Sequence, residues 1–133
     1  MTALYALVWF ILSFPIGAAA LVVSAALYFR VLTPRFDALA PFSDARKALA
    51  TCPVWIPILI AALICWAIDV VFNIVHGTWM FAQLPFRDNG YHGRQITFSD
   101  RLQYQVKQSG WRSNLAKPIA RFVNWIEPNH IHF

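Results

Sequence analysis

Charge is what this chain has least of. Charged residues make up 13 % of it and only six are acidic, against roughly 25 % charged in soluble domains. From Thr2 to Phe29 there is no charged side chain, which excludes an ordinary amphipathic surface helix with a solvated face. Cysteine is scarce too. Cys52 and Cys65 are the two present; on one helical rod they would lie about 20 Å apart, too far to bridge. A disulfide framework is therefore excluded. Glycine is sparse, with five residues and no Gly-rich phosphate loop. No nucleophile, base and orienting group can be placed together, so no enzymatic activity is expected. His130 and His132 lack further ligands nearby, so neither a metal site nor a cofactor is expected. There is no internal repeat and no low-complexity segment.

What is present is apolar sequence, 59 % of the chain. Thr2 to Phe29 is a run of 28 residues. As a helix it would span about 42 Å, where a bilayer core needs about 30 Å. Pro53 to Ile68 is a second uncharged run that continues as mostly apolar sequence to Phe86. The small-residue stretch "GAAA" at 17–20 resembles a signal cleavage site, but no Lys or Arg precedes the apolar run as a secretory signal requires. A membrane anchor is expected instead. The expected fold is an all-α membrane protein, a two-helix transmembrane hairpin followed by an amphipathic, interfacial helical tail. The divisions are a first span over 1–29, a charged connecting loop with a short helix over 30–52, a second span over 53–83 and a basic tail over 84–133.

Within the first span Ser13, Gly17, Ala20 and Ser24 recur at steps of four, three and four. Such spacing sets small side chains along one face, either as a packing seam for close helix approach or as Ala-rich filler. In the connection, "PFSDARKALA" predicts a short helix capped by Ser43, with Pro53 opening the second span and Pro57 marking a bend after its entry. In the tail "RDNGYHGRQ" predicts a turn-rich loop. "TFSDRLQYQVKQSG" predicts a helix with Thr97 or Ser99 as cap and Gly110 as stop, although Leu102, Tyr104 and Val106 also alternate as a strand would. The last segment predicts a helix with Pro118 in its first turn and Pro128 after its end.

The second span carries a polar stripe. Cys65, Asp69, Asn73 and Gly77 follow at steps of four, and His76 lies three after Asn73. A stripe of this kind implies a protein surface or a pore lumen rather than lipid. Three readings stay open: hydrogen bonding to the first helix or another subunit, a span that ends near Phe72 with the rest at headgroup depth, or a proton path, pore or haem ligand. A transmembrane haem would want two axial ligands, and one His lies in a span.

Net charge is +5. Arg94, Arg101, Lys107, Trp111, Arg112, Lys117, Arg121 and Trp125 form a basic, aromatic tail suited to anionic headgroups or a protein partner; no motif for specific nucleic-acid recognition occurs. A homo-oligomer or a subunit of a membrane complex is expected. Lys and Arg near the spans nearly balance between the connection and the start of the tail; the expectation is a multi-pass protein with both termini in the cytoplasm.

The pattern Asp69, Asn73, Gly77, Phe81, then Leu84-Pro85, Thr97, Ser99, Arg101-Leu102, "GWR" at 110–112, Leu115-Ala116, Arg121, Pro128 and a terminal His resembles a group of small membrane proteins. These are encoded by tailed bacteriophages and prophages of Gram-negative bacteria. Their basic tail reads "LPRE…TFSxRLxR…GWRxxLAxxI…DPxxxH". The likeness covers residues 69–132. Here Phe86-Arg87-Asp88 replaces the usual Arg-Glu, and "IEPNHIHF" replaces the aspartate-rich ending. The resemblance implies a phage origin and a bacterial inner-membrane location, with no activity attached. The expected function is thus non-enzymatic, through assembly with itself or a partner. A holin-like permeabiliser, an accessory subunit of a larger complex and a superinfection-exclusion protein are the alternatives.

Overall fold

The computed structural model describes residues 2–84, 86 and 95–133. Most of the expected turn-rich loop, Pro85 and Arg94 lie outside the described residues. Helix α1, Thr2–Leu27, runs through a π-helical turn, Tyr28–Leu32, into α2, Thr33–Leu39. A 3-10 turn, Pro41–Ser43, precedes α3, Ala45–Phe72; a second π turn, Asn73–Gly77, joins it to α4, Thr78–Phe81. The tail holds α5, Phe98–Gln105, and α6, Trp111–Ile126. Among the described residues there is no strand, so the alternation at 102–106 does not become one.

Two rods dominate. Thr2–Ser43 covers 42 residues and Ala45–Phe81 covers 37, and each contains a window long and apolar enough to cross a membrane. None of that window is buried in the first rod, and 17 % of it in the second. The helices of a soluble core are mostly buried; these are not. They run antiparallel. Phe10 meets Trp79 at 5.4 Å between ring centroids, Phe14 meets Phe72 at 6.1 Å, and Phe42 meets Trp55 at 5.5 Å beyond the turn.

The connection differs from the expected loop over 30–52, and the reason is local. Pro41 disfavours helix at the residue before it, and Ala40 takes the left-handed region with φ 40. The reversal is confined to residues 40–44. Asp44, not Ser43, caps the next helix, accepting from the Arg46 amide at 3.3 Å. The charged residues on either side continue the rods, because a helix tolerates charge wherever it is exposed, as Arg35, Asp37, Arg46 and Lys47 are. Pro53 sits inside α3 rather than opening it, and Pro57 lies inside it as well. Pro118 is likewise interior to α6; it is exposed, as is Asn114, whose carbonyl loses the proline's missing donor and remains on the outer face. Gly110, with φ 90, precedes α6 instead of stopping α5.

The core lies between the second rod and the tail. Phe72, Phe81, Phe98, Leu102, Val106, Ala116, Ala120 and Ile131 are buried together, and Phe14, Ala18 and Leu21 of α1 pack on them. Helix α6 runs lengthwise on the rods. At its start the Arg112 Nε donates to the Phe81 carbonyl at 2.6 Å. At its end Arg30 donates from Nε to Ile126 O and from Nη2 to Trp125 O, each at 3.0 Å. Residues 130–132 are fastened as well. Asn124 exchanges two hydrogen bonds with Ile131 at 2.7 and 2.8 Å, and Gln103 exchanges two with His132, each at 2.8 Å. His130 pairs with Glu127 at 2.8 Å and packs on Phe29.

Arg30→Met keeps the aliphatic stem but removes both bonds to the end of α6. Amide exchange over residues 124–132 should quicken severalfold, a loss of about 1 kcal/mol, while exchange in α1 and α3 stays as it was.

Candidate functional site

Asp69 and Asn73 of the polar stripe on the second rod are covered by the chain's own tail. Asp69 is one turn from the end of α3, and its carboxylate points at the start of α5. Its Oδ1 accepts from the Phe98 amide at 2.9 Å and its Oδ2 from the Ser99 hydroxyl at 3.4 Å. The first amides of a helix have no partner within it and carry the positive end of its dipole; a carboxylate supplies both missing terms. Thr97 completes the cap in a box with Asp100, whose amide donates to Thr97 Oγ1 at 3.1 Å while the Thr97 amide donates to Asp100 Oδ2 at 3.0 Å.

Asn73 opens the second π turn and is fully buried. Its Nδ2 donates to the carbonyls of Gln95 and Ile96 at 2.8 and 2.9 Å. The strand-like piece that leads into α5 therefore lies against α3 through Asn73 and Asp69, one helical step apart. Gly77 leaves room for this contact, since a Cβ there would sit 2.9 Å from Asn73 Oδ1 and 3.2 Å from the Phe98 ring.

His76 faces the other way, toward α1. Its ring packs against Phe10 and Phe14, each at 5.3 Å, and Phe72 at 4.9 Å. Among the described residues Nδ1 has no hydrogen-bond partner. Gly17 makes the space: a Cβ on it would come within 2.8 Å of His76 Nε2. Of the small-residue seam, Ser24 is buried, Ser13 and Gly17 are half-buried and Ala20 is exposed. The two serines turn their hydroxyls onto their own helix, Ser13 to Phe10 O at 3.2 Å and Ser24 to Leu21 O at 2.9 Å.

Cys65 is buried and unbonded to another cysteine. With Tyr28, Asp69, Phe98, Asp100 and Val123 it lines a mostly apolar cavity of about 270 Å³ between the rods and the tail. Among the described residues no group of three or more His, Cys, Asp or Glu side chains comes together to hold a metal ion.

The tail cations divide into two sets. Arg101, expected at headgroups, is 0 % exposed. Its Nη1 donates to Gln83 O at 3.1 Å, and Gln105 Nε2 donates to Gln83 Oε1 at 2.6 Å behind it. Burial pushes the Arg101 guanidinium down to about 10, so it stays charged at neutral pH. Arg112, also expected outward, reaches the Phe81 carbonyl and, at 3.4 Å, the Ala82 carbonyl, and it covers the Trp111 ring at 4.9 Å. Ala82 has φ 46 and ends α4. The two arginines thus neutralise the negative end of that helix, which explains why they point inward. Lys107, Lys117, Arg121, Trp111 and Trp125 do lie on the outer face. Arg94 lies outside the described residues.

Sequence reasoning missed Arg30, Gln83, Gln95, Gln103 and Asn124 as structural polar residues. Arg30 carried a signal, being the first charge after a long uncharged run; the amides carried none. No family model, no curated protein and no solved structure matches the chain.

Asp69→Leu removes the external cap of α5. A lost helix cap costs about 1 kcal/mol, so exchange over 97–106 should accelerate about fivefold and protease should reach the tail sooner. Asp69→Asn keeps an acceptor and should fall between leucine and the parent. A tail equally protected in all three variants would mean that the carboxylate serves a surface outside this chain.

Proposed function

We propose that the chain is an integral membrane protein that acts without catalysis, by assembly in the bilayer. One observation carries this reading: the apolar faces of two helices, each long enough to cross a bilayer, are left uncovered by the chain, whereas its polar stripe is covered. In water that arrangement is inverted, since extended apolar surface is exposed and hydrogen-bonding groups are hidden. In hydrocarbon it is the stable one, because lipid can face Leu and Ile but cannot bond a carboxylate or an amide.

The tail sets the depth. Lys117 and Arg121 are exposed on the outer face of α6, and a charged side chain in the middle of a bilayer is costly. Because α6 runs lengthwise on the rods, the side that carries it faces water or protein rather than acyl chains, and the uncovered apolar sides meet acyl chains. Trp111 and Trp125, both exposed, suit the boundary between the two. Anionic headgroups are the lipid chemistry that Lys117 and Arg121 favour. The tail motifs support placing the chain with phage and prophage membrane proteins of the bacterial inner membrane, in an assembly role.

Expression in bacteria and separation of membranes tests the reading. The chain should stay in the membrane pellet through alkaline carbonate and leave it only with detergent. Vesicles with anionic headgroups should retain Lys117→Gln/Arg121→Gln less well at the boundary, seen as faster quenching of Trp125 fluorescence by an aqueous quencher. A chain recovered in the soluble fraction without detergent overturns the proposal.

A further inference from the structure

A groove of about 460 Å³ runs between the two rods. None of its lining residues comes from the tail, and none is an acid, a lysine or an arginine. Its α1 side is small: Ser13, Gly17 and Ala20. Its second-rod side is Ile64, Ala67, Ile68, Val71 and Phe72 of α3 and Val75 of the π turn, with His76 at one end. Ala20 and Ala67 are exposed, so none of the described residues fills the groove.

We propose that a second copy of the chain fills it, in a two-fold dimer within the bilayer in which Ser13 of each copy bonds His76 of the other. The proposal rests on the membrane reading above and names the partner. In lipid an apolar groove gains little from apolar contact alone; helices associate where small residues let backbones approach and where polar groups find partners. Both conditions hold here. Gly17, Ala20 and Ala67 provide the approach. His76 provides the polar group: it is 5 % exposed, its Nδ1 has no partner among the described residues, and its Nε2 edge is turned to the Gly17 notch. The phenylalanines around it offer no hydrogen bond, and an acyl chain offers none either.

The occupant follows from symmetry. A two-fold interface sets one surface against itself, so every contact between two different positions occurs twice. This groove holds both halves of a hydrogen-bonding pair. The imidazole has an N–H to give, and the Ser13 hydroxyl, which donates its own hydrogen to Phe10 O, keeps lone pairs free to accept. Two copies complete each other with no further component, and no charge in the groove opposes their meeting.

The test uses the full chain in bilayer vesicles, with energy transfer between donor- and acceptor-labelled copies read as lipid is diluted. Vesicle flotation is run on the same samples. Wild type should float and show a dimer that dissociates on dilution. Ala20→Leu and Ala67→Leu enlarge exposed positions that support nothing inside the chain; each should weaken association roughly tenfold while exchange protection of residues 97–106 is unchanged. Ser13→Ala should weaken it by a smaller factor. A wild type that floats as a monomer at every dilution overturns the dimer and spares the membrane reading; a chain that does not float overturns both. Association that Ala20→Leu and Ala67→Leu leave intact places the contact on another face and overturns the assignment.

Discussion

A carboxylate and an amide on a long apolar helix need hydrogen-bond partners, and the way this chain bonds them decides the rest of its shape. Asp69 and Asn73 offer side-chain groups; the segment from Gln95 to Ser99 offers two carbonyls, the Phe98 amide that its own helix cannot use, and the Ser99 hydroxyl. Each side satisfies the other. Orphan amides at the start of α5 need an acceptor, and the stripe needs donors. The tail is therefore part of the second rod's structure, held by bonds that a separate peptide would have to form at the cost of its own ordering.

The same device recurs at two further helix ends. The final carbonyls of α4 and the residues after it face Arg101 and Arg112, and the final carbonyls of α6 face Arg30. In each case the terminus of one element is met by a charged side chain of another, with the sign that the helix dipole favours. Such contacts fix direction as well as proximity, since an inverted helix would present amides to the arginines. Between them they hold α6 at both ends along the rods. Arg101 is the costliest of the three to place, being wholly buried, with Nε and Nη2 lacking a partner. Asn73, Gln95 and Gln105 are buried and polar as well, so the packing of the tail on the second rod concentrates polarity that a purely apolar core would not contain.

The elements and their apolar character were legible in the sequence; their mutual placement was only half so. Uncharged runs announced both rods, because only a bilayer or a core has use for them. The stripe was legible as a stripe, since steps of four put Cys65, Asp69, Asn73 and Gly77 on one face. Its partner was not. A bond between Asp69 and the Phe98 amide uses a backbone group, which every residue has, and no residue type signals it. The contact of Arg30 with Ile126 spans 96 positions and again ends on a carbonyl. Composition spoke for headgroup contacts by the tail cations because it counts charges without their direction, and Arg101 and Arg112 turn inward. The connection misled for a related reason: charge there marks exposure rather than a loop, and Pro41 alone makes the turn.

Both π turns fall where the chain is gripped. Arg30 sits in the first and Asn73 and His76 in the second. A π turn takes more residues than an α turn, so it rotates the side chains that follow relative to those before. In the second rod this lets two neighbouring polar residues serve opposite surfaces, with Asn73 turned to the tail and His76 to α1. Gly77 and Gly17 are the matching gaps, one beside Asn73 and one beside His76, each closed by a single added carbon. The short polar segment thus couples the tail to the packing of the two rods. The contact with the tail and the contact between the rods share one turn, with Asn73 and His76 three residues apart in it.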